Sequence, residues 1–243
     1  MKKNELLENT KRIKGMITEM GADLVGVTDV NGLRDLKAYP ADLLNPFTSA
    51  ISIAVQFPIA IFDTILNKPS SIYSNYYRVV NSKLDEIAFR ISLAIQAEGF
   101  NSLPIPASDY VDVENFYGTI SHKAIARMAG LGWQGKNLLI ITPQFGSRVR
   151  LVTVLTTIPL MPDTPIKNRC GDCMLCYDAC PAHAIKGVNT ADHYKDRDEA
   201  LHFSKCVEKL SEFKNIPGIG AMLCGVCIRV CPFSRKGKET KIR

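Results

Sequence analysis

Between Asn4 and Met20 apolar residues recur at helical spacing. Leu6, Leu7, Ile13, Met16, Ile17 and Met20 alternate with charged positions, which predicts an amphipathic helix, and Gly21 is placed to end it. The pattern then changes. Ala22 to Thr28, with Leu24, Val25 and Val27, predicts a buried strand, and Ala50 to Val55 a second. Tyr73 to Gln96 returns to the helical period, with Val79, Val80, Leu84, Ile87, Ile91 and Ile95 on one side, Tyr76 and Tyr77 read as core aromatics, and Gly99 as the stop. A short helix is predicted over Ser121 to Ala129. Strands are predicted over Asn137 to Thr142 and Arg148 to Thr156, around a turn at Phe145-Gly146-Ser147. This alternation is that of an α/β or α+β domain of about 160 residues.

The pattern breaks at Ile158 to Pro165, where Pro159, Pro162 and Pro165 fall within seven residues and read as a linker. The expected organisation is a first domain over 1–158, a linker over 159–166, a small module over 167–235 and a basic tail over 236–243. Of the chain's 243 residues 46% are hydrophobic and 22% charged, ordinary for a globular chain with a sizeable core. The longest apolar stretch, Ala50 to Phe62, is interrupted by Ser52, Gln56 and Pro58, short of the ~18 residues a membrane span needs. Lys2 and Lys3 are not followed by an apolar core, so no signal peptide is expected. The cytoplasm is the expected location, with no membrane partner. Arg235 to Arg243 hold five basic residues and one Glu, which accounts for most of the net charge of +6. That is a basic tail on a near-neutral body, either solvated or in weak contact with RNA or an acidic partner.

All eight cysteines lie beyond the prolines. A cytosolic setting disfavours disulfides, so their spacing points to metal or catalysis. The first group is Cys170-x2-Cys173-x2-Cys176-x3-Cys180-Pro181, and the second is Cys206 followed by Cys224-x2-Cys227-x3-Cys231-Pro232. The first is the run of a bacterial two-cluster ferredoxin, whose fourth cysteine ligates the other cluster. Three cysteines at this spacing wrap one cube, while the fourth is expected to begin a helix and point away. The ligand sets that follow are Cys170, Cys173, Cys176 and Cys231 for one [4Fe–4S] cluster, and Cys180, Cys206, Cys224 and Cys227 for the other. Cys206 lies eighteen positions before Cys224, so a long excursion completes the second cage. Two four-cysteine zinc sites are the plainer alternative.

The densest motif elsewhere is Ala129-Gly130-Leu131-Gly132-Trp133-Gln134-Gly135-Lys136-Asn137, followed by Thr142 and then Phe145-Gly146-Ser147-Arg148. Gly-Lys is followed by Asn, so this is no phosphate loop, and the glycines follow a helix, so it is no dinucleotide fingerprint. Either three glycines in six residues let backbone approach a bulky ligand, or they form a tight turn packed by one tryptophan.

At these residues the sequence resembles the epoxyqueuosine reductase family, which is similar in turn to reductive dehalogenases. The resemblance rests on Gly130-Leu131-Gly132-Trp133-x-Gly135-Lys136-Asn137, then Phe145-Gly146-Ser147, then the cysteine run, and extends from about Asp23 to Phe233. It implies a cobalamin-binding domain of nitroreductase-like α/β fold followed by a two-cluster ferredoxin-like module, in which the clusters reduce the cobalt. The cofactor-binding candidates are Gly130, Gly132, Trp133, Gly135, Lys136, Asn137, Thr142, Gly146 and Ser147. Two departures stand out. The family's proton-donating Asp falls at Phe116, in Phe116-Tyr117-Gly118-Thr119, and the sequence ends shortly after Cys231 without the family's longer tRNA-binding extension. A short paralogue with another substrate is expected, and tRNA is an unexpected partner.

A reduction needs protons as well as electrons. Glu114, Tyr117 and His122 are the candidate donors, with Asp109 and Asp112 nearby in sequence. Each also has a plainer role as a solvated loop residue or a helix start. His183, His193 and His202 are expected at the surface of the cluster module. Three functions compete: a cobalamin-dependent reductase fed by an external low-potential donor of ferredoxin or flavodoxin type, acting on an unnamed small molecule or protein; an electron-transfer protein that activates a partner's corrinoid; and a flavin (FMN) enzyme of nitroreductase type.

Overall fold

The computed structural model describes residues 3–235. In chain order the elements are α1 (Lys3–Glu19), β1 (Leu24–Asp29), β2 (Ser49–Gln56), α2 (Ile59–Asp63), α3 (Ser71–Ala97), β3 (Ser102–Ile105), α4 (His122–Met128), β4 (Trp133–Gln134), β5 (Ile140–Ile141), β6 (Val149–Thr156), α5 (Leu175–Asp178), α6 (Arg197–Ala200), α7 (Phe203–Lys214) and α8 (Val226–Arg229). The chain divides into two compact units, neither continuous in sequence. Unit 1 comprises 1–55, 79–131 and 150–166. Unit 2 comprises 56–78, 132–149 and 167–243.

The main sheet has the order β1-β2-β6-β3. β1 pairs antiparallel with β2, Leu24 opposite Ala54, and β3 antiparallel with β6, Ser102 opposite Thr156. β2 is buried along almost its whole length, as a central strand covered on both faces must be. In unit 1, Val30, Leu33, Phe47, Ile105, Ile120, Ile125 and Leu155 form one apolar cluster. Leu84, Ile87, Ile91 and Ile95 bury the expected side of α3. Ser121 caps α4 by accepting from Ala124 N–H.

Several expectations need correction. Val79 and Tyr76 lie on the outer face of α3, both about half exposed. A helix turns 100° per residue, so Val79 cannot share a face with both Val80 and Leu84 at full burial. The strand expected over Asn137 to Thr142 shrinks to Ile140–Ile141, paired with Trp133–Gln134 in a separate two-stranded ribbon. β3 escaped the sequence reading because Pro104 sits in it; β3 is an edge strand of the sheet, where a missing N–H is tolerated. The proline-rich stretch 159–166 is not loose. Met161 N–H bonds Thr10 Oγ1 at 2.7 Å, Asp163 N–H bonds Val27 O at 2.8 Å, and the Asp163 carboxylate takes both Lys14 Nζ and Val27 N–H. The basic tail expected over 236–243 lies outside the described residues.

Gly26 faces the backbone that follows α4, and a Cβ there would stand 2.1 Å from Ala129 O. Gly15, on the outer face of α1, has nothing within 4 Å. Gly26→Ala should therefore destabilise the protein by about 1–3 kcal/mol or more. Gly15→Ala should stabilise it by about 0.5–1 kcal/mol. Urea unfolding of the two variants checks the pair.

Candidate metal centre

The cysteines belong to unit 2, and local structure aims each one. Asn168 Oδ1 accepts from Cys170 N–H at 2.8 Å and starts the loop. Gly171, at φ +52°, turns it back so that Cys173 N–H reaches Cys170 O. α5 is a single turn that carries Cys176. The chain leaves it at Cys180, whose sulfur accepts from Ala184 N–H at 3.4 Å inside an apolar cluster of Leu138, Ala184, Ile185, Tyr194, Ala200 and Leu201. No helix begins at Cys180-Pro181, contrary to expectation, because these residues close a turn. The other Cys-Pro pair does start one: a 3-10 turn runs from Pro232 to Arg235. Cys206 lies one turn into α7, so Lys209 and Leu210 share its face. Gly225, left-handed at φ +85°, starts α8 between Cys224 and Cys227, and a Cβ there would meet Ile65 and Tyr73.

These devices gather the sulfurs into two groups. Cys180, Cys206, Cys224 and Cys227 line one cavity together with Asn137, Ile185, Leu201, Lys209 and Leu210. In the other group Cys176 faces Cys231, Cys170 and Cys173. The groups adjoin, since Cys227 feels Cys224 first and Cys176 next among its neighbouring sulfurs. Burial is the main reason the thiols resist ionisation, with neighbouring sulfurs adding to it. Cys176 and Cys224 are both pushed up to about 11, and Cys227 and Cys231 are also raised. Ligation needs thiolates, so iron binding here must displace protons. Two groups of four soft sulfur donors suit two [4Fe–4S] cubes.

The glycine motif, also largely in unit 2, surrounds these loops. Trp133, fully buried, donates its indole N–H to Cys170 Sγ at 3.4 Å and stands edge-on to Phe233. Lys136 Nζ donates to Cys173 O at 3.1 Å, and Asn137 borders the four-cysteine cavity. Thr142 closes a tight turn with Gly146, and Ser147 N–H bonds Ser234 Oγ at 3.1 Å. The close approaches the glycines allow are to protein: a Cβ would meet Thr164 O at Gly130, Ile141 O at Gly132, the Ile141 side chain at Gly135 and Ser234 N at Gly146. The tight-turn reading of the glycines therefore describes what they do here. Sequence reasoning missed Ser234, Gln134, Asn168 and Tyr194. Gln134 accepts from Asn168 through its backbone and from Tyr194 N–H through its side chain. Burial, followed by the nearby Cys170 and Cys176 sulfurs, pushes the Tyr194 phenol up to about 12. Only Asn168 had a legible signal, as an Asn two positions before the first cysteine.

The proton-donor candidates all lie in unit 1. Glu114 is exposed. Tyr117 has the Lys37 ammonium 4.1 Å from its ring centroid. Asp112 accepts from Asn115 and from Tyr39 O–H, and these bonds hold its carboxyl below the usual range. Asp109 accepts from the Thr119 backbone and hydroxyl, while Gly118 leaves room for it. His122 Nε2 is 2.9 Å from Pro106 O, which can only accept, so Nε2 carries the proton and Nδ1 accepts from Thr153 Oγ1 at 2.8 Å. Both ring nitrogens are spent inside unit 1. Phe116 adopts φ +57°, a left-handed conformation rare for a bulky residue. Tyr76 is exposed and Tyr77 half-buried against Tyr73. His183, His193 and His202 are at the surface.

Residues 169–234 match the 4Fe-4S double cluster binding domain family. An epoxyqueuosine reductase of Bacillus anthracis is 31% identical over 218 residues, covering 82% of this chain and 51% of that protein. This chain belongs to the epoxyqueuosine reductase family. It spans about half the length of the curated relatives it matches. A crystal structure of epoxyqueuosine reductase with an epoxyqueuosine-modified tRNA-Tyr stem loop superposes with a TM-score of 0.61 at 25% identity, over 94% of this chain and 66% of that one. A reductive dehalogenase described with a mechanism for B12-dependent dehalogenation shares the fold at a TM-score of 0.71 and 18% identity, over 96% of this chain and 33% of that one. The chain thus pairs the family's mixed α/β core with a domain for two 4Fe–4S clusters. Among the described residues no helix is long and apolar enough to cross a membrane.

The two cages make a test that single substitutions alone do not. Cys180→Ala and Cys206→Ala should each remove about half of the roughly eight irons per chain. Combined, they should remove no more than either alone, because both belong to one cavity. Cys180→Ala with Cys231→Ala should leave almost none. Iron and acid-labile sulfide analysis reads all four variants.

Desolvation holds the His122 imidazole below its usual value, against the opposing pull of its bond to Pro106. The folded state therefore prefers the neutral ring, and the unfolded chain takes up the proton first. That contribution to stability is complete above pH ~6.5 and is lost as pH falls below it. His122→Gln should flatten the fall in the urea midpoint between pH 7.5 and 5.5 relative to the parent protein.

Proposed function

We propose that this protein is an iron–sulfur reductase that takes one electron at a time from a low-potential donor of ferredoxin or flavodoxin type and relays it through two adjacent [4Fe–4S] clusters to a low-potential acceptor. The observation that carries this reading is the pair of four-sulfur groups, adjoining through Cys227 and Cys176. Adjacent cubes exchange electrons readily, and a cube with four protein ligands has no open iron for an organic substrate. The acceptor must therefore be something else.

Family membership points to a corrinoid as that acceptor, and the B12-dependent dehalogenase of the same fold supports it. The nine residues of the glycine motif and the turn after it do not fit the role of its lining. Eight of them are buried. The donors of Trp133, Lys136 and Thr142 and the side-chain oxygen of Asn137 already have protein partners. Their contacts tie these residues to the cluster loops. Epoxyqueuosine in tRNA is the substrate that the relatives' name suggests. At the position from which the family's acid acts this chain has Phe116, with no proton to give, so we expect another substrate.

One set of measurements tests the reading. Anaerobically prepared, cluster-replete protein is titrated with cob(II)alamin, and separately with FMN, under visible and paramagnetic-resonance detection. Binding of cob(II)alamin, with its reduction when the clusters are reduced, is expected. FMN binding without cobalamin binding would replace this reading with the flavin enzyme. Binding of neither would leave an electron-transfer protein serving a partner's corrinoid. Turnover of epoxyqueuosine tRNA should stay at background; robust turnover would overturn the assignment of another substrate.

A further inference from the structure

Lys136 is 4% exposed, and its ammonium has two acceptors, Cys173 O at 3.1 Å and Met174 Sδ at 3.7 Å. Both are neutral. Among the described residues no carboxylate forms an ion pair with it. A buried ammonium without a counter-charge is strongly unfavourable, so the polypeptide alone does not explain why one stands here. Its position does. Its ammonium donates to the backbone of the loop that carries Cys170, Cys173 and Cys176, whose sulfurs gather with Cys231, and Trp133 from the same motif donates to Cys170 Sγ.

We infer that Lys136 is the built-in counter-charge of the cluster held by Cys170, Cys173, Cys176 and Cys231, and that it raises that cluster's reduction potential. The argument rests on the two-cluster reading above. Four thiolates around an oxidised [4Fe–4S] core of charge +2 give a site of net charge −2. One electron from the donor takes the core to +1 and the site to −3, with no bond made or broken. A fixed positive charge at short range in a dry setting stabilises the −3 state more than the −2 state. Lys209 borders the second cage and pairs with Glu212. Lys136 is a positioning residue in this role, acting through the cluster and touching no substrate.

The test compares Lys136→Gln and Lys136→Arg with the parent protein in potentiometric titrations followed by paramagnetic resonance, after iron and sulfide have been measured. Dithionite serves as reductant, and the second cluster is the internal control. Lys136→Gln should lower the reduced-to-oxidised ratio of the Cys173 cluster about tenfold at fixed potential, which for one electron is about 59 mV. Lys136→Arg should hold it near the parent value, and the second cluster should stay put. An unmoved Cys173 cluster in Lys136→Gln, an equal shift in Gln and Arg, or an equal shift of both clusters would overturn the inference. Should Lys136→Gln fail to assemble, Lys136→Met, which keeps the stem, is the second variant. Failure of both neutral variants beside a loaded Lys136→Arg supports the charge role, while failure of all three shows a packing role and overturns it. Absence of iron from the parent protein would instead end the two-cluster reading itself.

Discussion

Eight cysteine sulfurs brought together as thiolates repel one another, and burial makes Cys176, Cys224, Cys227 and Cys231 harder to ionise. Unit 2 is organised around holding them together regardless. Its means are short: one-turn helices, left-handed glycines at 171 and 225, and hydrogen bonds that fix a loop before its cysteine arrives, as Asn168 does for Cys170. Such elements have little stability alone, because a single helical turn does not recover the entropy of ordering it. They persist because the apolar cluster around Cys180 and the ribbon of β4 and β5 hold them from outside. Iron would supply the remainder, as metal binding to thiolates is coupled to folding.

That arrangement gives the glycine-tryptophan motif a physical meaning different from the one its composition suggests. Three glycines in six residues indicate that something approaches the backbone closely, but not what. Here it is Ile141 and the stretch around Thr164, so the motif folds tightly enough to place Trp133 on Cys170 and Lys136 on Cys173. The turn at Gly146 and Ser147 seats Ser234, three residues after the last cysteine, and Arg148 donates to Ser234 O from the same side. Segments more than eighty residues apart in sequence close on one another through buried polar bonds, which tolerate little change once formed.

Much of this was legible in the chain, for identifiable reasons. α1, α3, α4, β2 and β6 announce themselves because their apolar period is long enough to be unambiguous. The grouping of the sulfurs could be expected from the chain because ligand spacing is set by the geometry of a cube and not by the fold around it. α7 was not, since its apolar positions are few and its reason for being helical is to present Cys206, Lys209 and Leu210 to one cavity. β3 was hidden by Pro104. The partners of the glycines could not be read at all, because Ser234 and Thr164 meet them only through the tertiary fold.

The two units solve opposite electrostatic problems. In unit 1 three titratable groups before the glycine motif are engaged locally: His122 bridges Pro106 and Thr153, Asp109 accepts from Thr119, and Asp112 is shared among Asn115, Tyr39 and Lys37. Neutral or locally paired groups project little field, as their charges are matched within a few ångströms. In unit 2 the charge is left unmatched by the polypeptide, with a buried ammonium on one side and a cage of sulfurs on the other.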